Sequence, residues 1–196
     1  MDRAPDISVW RRQTRDRLIT ARLALGAEQR RRWCGEIERR LGSLLGGLAG
    51  QVIGLYWPHR AEFDPRPLAD ELWSQGRTLA LPAIVERRGL LEYRAWQKDA
   101  EMERGLYDIP APEAREIVRP DILVVPLVGF DAANYRLGYG GGYFDRTLAA
   151  LEPRPLAIGV GFEAALLDTI HPQPHDIAMD FIVTEAKLRQ SPKGGI

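Results

Sequence analysis

The sequence predicts an α/β fold, a three-layer α/β/α domain with a mostly parallel central sheet and a pair of helices at its amino terminus. Short apolar runs such as Ile122-Leu123-Val124-Val125 alternate with segments of helical periodicity. These runs are apolar at every position, which is typical of parallel strands covered by helices on both faces. The 196 residues show no linker and no internal repeat, so we expect one domain spanning residues 1–196.

Residues 8–45 predict the helical pair. Leu18 begins a stripe of leucines, Gly26 interrupts it, and Ile37 and Leu41 resume it with helical spacing. Arginine is dense throughout this segment. A run of this kind is typical of a solvated helix face, and no interleaved aromatic residues point to nucleic acid.

The remaining elements alternate along the chain. Residues 65–75 and 143–150 predict helices, and Gly76 follows the first of them as a helix-ending residue. The predicted strands are 51–57, 78–84, 90–96, 121–128, 155–162 and 181–184. Residues 98–120 contain three prolines and predict an irregular segment.

The composition limits the class of protein. Net charge is zero, 45% of residues are hydrophobic and 28% are charged, so charge alone gives no case for binding nucleic acid or an anionic membrane. No apolar stretch is long enough to span a bilayer, and the first residues lack a secretory apolar segment. One cysteine, Cys34, cannot form an internal disulfide. We therefore expect a cytoplasmic protein and, with no partner indicated, a monomer.

The most specific stretch is Arg136-Leu137-Gly138-Tyr139-Gly140-Gly141-Gly142-Tyr143-Phe144-Asp145-Arg146. It follows an apolar run and begins a predicted helix, an order that lets backbone N–H groups at a helix start bind phosphate. Asp145 stands at the end of the loop, where a carboxylate could bind the Mg²⁺ that accompanies a nucleotide triphosphate. The loop lacks the lysine of a Walker A motif and the third glycine of a dinucleotide fingerprint, so a tight turn remains an alternative.

This stretch, together with Val128-Gly129-Phe130-Asp131 before it, resembles the signature of the 5-formyltetrahydrofolate cyclo-ligase family. Asn134 stands where the family usually has glycine, and Phe144 where it has a second tyrosine. Similar segments at 57–64, 105–112 and 175–185 extend the resemblance over nearly the whole chain.

The resemblance implies a reaction of 5-formyltetrahydrofolate with MgATP, and it assigns residues to it. For ATP they are Arg11, Arg15, Arg136, Leu137, Gly138, Tyr139, Gly140, Gly141, Gly142, Tyr143 and Phe144, with Arg12 a rival for Arg11. For folate they are Trp57, Glu62, Tyr107, Tyr139, Gly140, Gly141, Gly142 and Tyr143. It assigns Mg²⁺ to Asp145 and Asp180, and catalytic roles to Arg15, Tyr143 and Asp145.

Two other functions stay open from the sequence. One is a non-catalytic member of the same family that binds folate and ATP. The other is an isomerase or transferase of phosphorylated substrates on a similar sheet, because a glycine loop binds phosphate of many kinds. Trp57 and Glu62 also have ordinary explanations, as a core aromatic residue at a strand end and as a loop carboxylate.

Overall fold

A computed structural model describes residues 6–192 of the chain. Within this range the α-helices are α1 (Ile7–Leu23), α2 (Ala27–Gly47), α3 (Ala69–Ser74) and α4 (Tyr143–Ala150). The Asp6 side chain caps α1 by accepting the Ser8 N–H at 2.9 Å, and Gly26 separates α1 from α2. The predicted helical pair is confirmed.

The strands of the described residues form one large sheet and two small ones. In chain order they are β1 (Val52–Gly54), β2 (Thr78–Ile84), β3 (Leu91–Trp96), β4 (Met102–Arg104), β5 (Pro110–Pro112), β6 (Ile122–Pro126), β7 (Gly129–Asp131), β8 (Arg136–Leu137), β9 (Leu156–Val160), β10 (Leu166–Leu167), β11 (Phe181–Val183) and β12 (Leu188–Gln190). The large sheet has the order β12-β11-β9-β6-β1-β2-β3. Its five inner strands are parallel, and the edge strands β3 and β12 are antiparallel to their neighbours.

The apolar core lies on both faces of this sheet. Along β6, Ile122 and Val124 pack in the cluster that contains the inward residues of α2, whereas Leu123 and Val125 pack with Leu148 of α4. Successive side chains of a strand point to opposite faces, so a strand apolar at every position must be covered twice. The predicted α/β class, with helices on both faces of a mostly parallel sheet, is confirmed.

Residues 98–120 are more regular than the sequence predicts. β4 and β5 pair as an antiparallel hairpin, joined through a 3₁₀ turn at Leu106–Asp108. Prolines 110 and 112 begin and end β5. Proline lacks a backbone N–H, so it is tolerated in a short two-stranded ribbon of this kind and obscures the strand in the sequence.

The sequence suggested that the glycine loop follows the long apolar run directly, but in the structure it does not. β6 ends at Pro126, and the hairpin of β7 and β8 then precedes the loop. Asp131 shapes that hairpin, because its Oδ1 accepts the N–H groups of Ala133 and Tyr135, each at 3.1 Å. Asn134 takes the left-handed conformation there (φ +63°) that asparagine tolerates.

The loop after β1 (residues 55–65) and the glycine loop (residues 138–142) both follow the carboxyl ends of inner strands or the hairpin beside them. This is the edge of a parallel sheet at which ligands usually bind. Among the described helices, none combines the length and apolar character needed to cross a membrane.

Candidate active site

The glycine loop leads into α4 with its backbone shaped for an anion. Gly140 (φ +93°) and Gly142 (φ +66°) adopt conformations that side chains disfavour. Gly142 is the N-cap of α4, and no side chain caps the helix there. The first N–H groups of α4 therefore remain for a ligand, and the helix dipole favours a negative charge beside them.

Arg15 of α1 contacts the loop directly. Its Nε donates to the Gly138 carbonyl at 2.7 Å, and the guanidinium also lies against Gly140. Burial, together with the positive charge of Arg11, lowers the pKa of Arg15. A phosphate beside the loop would relieve this unfavourable electrostatic environment, which fits the role predicted for Arg15.

Arg11 lies one helical turn before Arg15 but has a different partner. Its Nη2 donates to Asp176 Oδ2 at 2.7 Å, and both side chains are largely buried. The structure thus brings Arg15 to the glycine loop, while Arg11 is neutralised by a carboxylate. A direct contact between Arg11 and phosphate requires that this ion pair open.

Arg136 and Asp145 form a buried ion pair at the ends of the loop. Arg136 Nη2 lies 2.9 Å from Asp145 Oδ2, and Asp145 Oδ1 accepts the Ile177 N–H at 3.2 Å. The Arg136 guanidinium lies over the Phe144 ring and close to Gly138. Arg136 is 6% exposed and Leu137 beside it is 1% exposed, so both are buried in the protein and support the conformation of the loop.

On the other side of the loop, Tyr139 contacts Glu62, the carboxylate that is predicted to bind folate. Its hydroxyl donates to Glu62 Oε1 at 2.9 Å, and Glu62 Oε2 accepts the His59 N–H at 2.9 Å. The Glu62 side chain is 4% exposed. Burial raises the pKa of Glu62, and nearby Arg22 opposes that increase. The structure therefore brings Glu62 to the glycine loop.

An apolar cavity lies beside these residues. Its walls come from the ends of β1, β2 and β3, from the segment 106–109 and from α4, and they are Tyr56, Trp57, Pro82, Ile84, Leu91, Leu106, Ile109 and Phe144. Ile84 also lines an adjoining cleft of about 530 Å³. The apolar cavity itself measures about 60 Å³, so its aromatic and aliphatic walls must move apart to take a flat heterocyclic ligand.

Two further predicted folate residues lie near this cavity. The Arg66 guanidinium lies over the Trp57 ring, 4.0 Å from its centroid. Trp57 is partly buried, and it packs against the apolar core and also lines the cavity. Tyr107 is 59% exposed, and its hydroxyl lies 3.3 Å from that of Tyr143. The hydrogen bond with Tyr107 lowers the pKa of Tyr143, the first residue of α4.

The predicted magnesium pair is not assembled. Asp180 Oδ1 binds Arg154 at 2.6 Å, and Asp180 Oδ2 accepts the Ala157 N–H at 2.8 Å where β9 begins. Asp145 has Arg136 and the Ile177 amide instead, so the two carboxylates share no partner. Between residues 6 and 192, no group of three or more His, Cys, Asp or Glu residues is arranged to bind a metal ion. Both carboxylates are engaged by donors, so direct coordination of Mg²⁺ by either one requires that its ion pair with arginine open.

Arg22 is a site residue that sequence reasoning missed. It lies seven residues after Arg15 and bonds to three segments around Glu62. Its position in a dense arginine run gave no signal, because nearly every turn of these helices carries an arginine. The one available signal was helical spacing: Arg22 lies four and three positions after the buried residues Leu18 and Ile19, which places it on the buried face of α1.

Comparison with known proteins gives one consistent family. The model of the 5-formyltetrahydrofolate cyclo-ligase family matches residues 7–185. The chain is 33% identical over 171 residues to the 5-formyltetrahydrofolate cyclo-ligase of Mycolicibacterium smegmatis, covering 83% of this chain and 84% of that protein. It is 26% identical over 174 residues to the 5-formyltetrahydrofolate cyclo-ligase of Escherichia coli K12, covering 85% and 96%.

Solved structures agree with this result. The NMR structure of Aquifex aeolicus 5,10-methenyltetrahydrofolate synthetase is 28% identical, with a TM-score of 0.81 over 95% of each chain. A 5,10-methenyltetrahydrofolate synthetase from Mycoplasma pneumoniae has the same fold, with a TM-score of 0.74 at 22% identity over 89% of this chain and 98% of that one. The chain therefore belongs to the 5-formyltetrahydrofolate cyclo-ligase family and is a ligase of folate one-carbon metabolism.

Proposed function

We propose that this enzyme catalyses the ATP-dependent cyclisation of 5-formyltetrahydrofolate to 5,10-methenyltetrahydrofolate, with release of ADP and phosphate. One observation carries the proposal: two adjacent residues of the glycine loop contact Arg15, which is predicted to bind phosphate, and Glu62, which is predicted to bind folate. The Gly138 carbonyl accepts from Arg15, and the Tyr139 hydroxyl donates to Glu62. A phosphate on the loop and a folate ring at Glu62 would then be neighbours, as transfer between them requires.

The ATP phosphates would lie at the glycine loop. The uncapped start of α4 supplies N–H donors, and Arg15 supplies a positive charge that is not used in an ion pair within the described residues. Charge-assisted hydrogen bonds to such a guanidinium are stronger than neutral ones and become stronger as charge develops on the transferred group.

The folate would place its pterin at Glu62. A carboxylate accepts two hydrogen bonds from the amino and ring N–H groups of a pterin, provided it is ionised. The apolar cavity bounded by Trp57 and Phe144 would widen to take the ring system, and Tyr107 and Tyr143 would lie at its mouth. Before the pterin binds, the Tyr139 hydroxyl occupies one acceptor position of Glu62.

The chemistry needs no covalent bond to the protein. The N5-formyl oxygen attacks the γ-phosphorus and the bond to ADP breaks, which leaves an activated imidate phosphate. N10 then attacks the former formyl carbon and loses its proton, the carbon–oxygen bond breaks, and phosphate carries away the oxygen with its electron pair and takes up the proton. The protein positions both substrates and stabilises negative charge on the phosphoryl group.

Magnesium enters this proposal as the ion that accompanies ATP, because Asp145 and Asp180 are each paired with an arginine. We expect the reaction to require added Mg²⁺. Titrating MgCl₂ at fixed ATP and comparing it with an EDTA-treated sample tests that requirement. The cytoplasmic location and the monomeric state remain predictions.

The decisive experiment mixes purified protein with 5-formyltetrahydrofolate and MgATP and follows the near-ultraviolet absorbance of the methenyl product. An ATP-dependent rise matched by ADP formation is expected. Arg15→Gln should abolish most of it, while Arg17→Gln, an exposed arginine on the same helix, should behave as the parent. Binding of both ligands without ADP would favour a non-catalytic family member. Failure to bind either ligand would overturn the assigned substrates.

A further inference from the structure

Arg22 connects the parts of the candidate site that meet at Glu62. We propose that Arg22 is a positioning residue: its guanidinium holds Glu62 and the glycine loop in the arrangement that receives the folate ring. The inference rests on the proposed function, because it assumes that Glu62 meets the pterin.

The Arg22 guanidinium bonds to three separate segments. Nε donates to the Arg60 carbonyl at 3.0 Å, and Nη1 donates to the Leu127 carbonyl at 3.4 Å. Nη2 donates to Tyr139 Oη at 2.6 Å. One buried side chain thus ties together the loop after β1, the end of β6 and the glycine loop. Arginine suits this task because its donors lie in a rigid plane, whereas lysine offers a single flexible ammonium group.

Tyr139 carries the influence of Arg22 to Glu62. Its hydroxyl accepts from Arg22 and donates to Glu62 Oε1, while Arg22 Nη2 itself lies 3.8 Å from the same oxygen. A hydroxyl that accepts from a cation is a better donor to an anion, so the two hydrogen bonds reinforce each other. The His59 N–H on Oε2 completes the orientation of the carboxylate.

Arg22 also keeps Glu62 charged. Burial raises the pKa of Glu62, and Arg22 gives the largest opposing contribution. The other titratable or charged groups around this pair are Tyr139 from the glycine loop, Tyr56 at the end of β1, and His59, Arg60 and Asp64 from the loop of Glu62 itself. Removing Arg22 would therefore favour protonation of Glu62, and a neutral acid recognises the pterin N–H groups poorly.

The test compares parent, Arg22→Gln, Arg22→Lys and Arg17→Gln by steady-state kinetics between pH 6 and pH 9. We expect Arg22→Gln to raise the KM for 5-formyltetrahydrofolate about 10-fold at the acidic end, because a protonated Glu62 loses its charge-assisted contact with the pterin. The KM for ATP should change less than about 2-fold, well under that effect. The defect should shrink towards high pH as Glu62 loses its proton.

Arg22→Lys distinguishes charge from simple packing. It retains a positive charge beside Tyr139, so it should restore the parental pH profile of the folate KM even if the KM itself stays above the parental value. Arg17→Gln should match the parent throughout. Equal rises in both KM values at every pH, or a lysine variant with the same altered profile as the glutamine variant, would overturn the proposal.

Two additions keep the test decisive. Folate binding followed by tryptophan fluorescence without ATP gives the same comparison independently of turnover, so a parent that binds folate but forms no methenyl product refutes the reaction and not the role of Arg22. If Arg22→Gln does not fold by thermal melting, Tyr139→Phe interrupts the same connection with Arg22 present. A pH-dependent loss of folate affinity in that variant supports the proposal, and parental affinity overturns it.

Discussion

Replacing Gly140 with alanine tests how the glycine loop and Arg15 depend on each other. Gly140 has φ +93°, and a Cβ at this position would lie 3.2 Å from Arg15 Nη2 and 3.3 Å from Cζ. Both atoms belong to the guanidinium that we expect to meet phosphate. Alanine would therefore strain the backbone at Gly140 and also displace the Arg15 guanidinium.

The expected size follows from these two effects. A residue other than glycine in such a conformation costs about 1–3 kcal/mol, which corresponds to roughly 2–12 °C in melting temperature for a chain of this length. Displacing Arg15 removes its hydrogen bond to Gly138 and weakens a charge-assisted contact with phosphate. A contact of that kind is worth about 1.5–3 kcal/mol, so the KM for ATP should rise about 10-fold or more.

A matched control is available in α2. Gly35 is exposed and lies inside the helix, and a Cβ added to it would meet no atom within 4 Å. Gly35→Ala should therefore stabilise the protein by about 0.5–1 kcal/mol. Thermal melting and ATP-dependent kinetics of the two variants give the comparison. A Gly140→Ala protein with parental melting temperature and parental KM for ATP would refute both the backbone argument and the link to Arg15.

Two further predictions concern ion pairs. Asp145→Asn leaves Arg136 without its buried partner, so we expect a loss of about 3 kcal/mol, seen as a lower melting temperature even without metal or nucleotide; a parental melting temperature would contradict this. Burial raises the pKa of Glu163, but hydrogen bonds from Arg189 and Thr184 outweigh it and the pKa is lowered. The stabilisation is therefore present above the unfolded pKa and lost as the pH falls through the folded pKa. Glu163→Gln should cost about 1 kcal/mol or less at pH 7 after solvent screening, and the difference from the parent should shrink in pH-dependent melts as the pH falls below the ordinary pKa of glutamate.

Local patterns predicted the elements that have local causes. Gly26 marked the break between α1 and α2, and α4 has the predicted bounds, because helix periodicity and helix-ending residues act within a few positions. The hairpin of β4 and β5 was hidden by its prolines, and the hairpin of β7 and β8 by the continuous apolar run before it. Pairing between short strands depends on partners elsewhere in the fold, which periodicity does not report.

Site residues divide in the same way. Gly140 and Gly142 follow from a local need for positive φ, so a sequence motif identifies them. Arg22 acts on Arg60, Leu127 and Tyr139, which are 38, 105 and 117 positions away, and no spacing rule connects them. The role that we propose for Arg22 therefore depends on the assembled fold.

The arginines of the site differ in whether a carboxylate already neutralises them. Arg11 is paired with Asp176 and Arg136 with Asp145, so each is balanced before any ligand arrives. Arg15 has no ion pair within residues 6–192; its hydrogen bond goes to a carbonyl, and burial lowers its pKa. A half-buried cation without a counter-ion is less favourable than a paired one until an anion binds, which makes Arg15, more than Arg11 or Arg136, the residue whose charge the ATP phosphates would balance. The same reasoning applies to Asp145: its charge is balanced by Arg136, so we expect it to act in ATP binding chiefly by holding the glycine loop in shape.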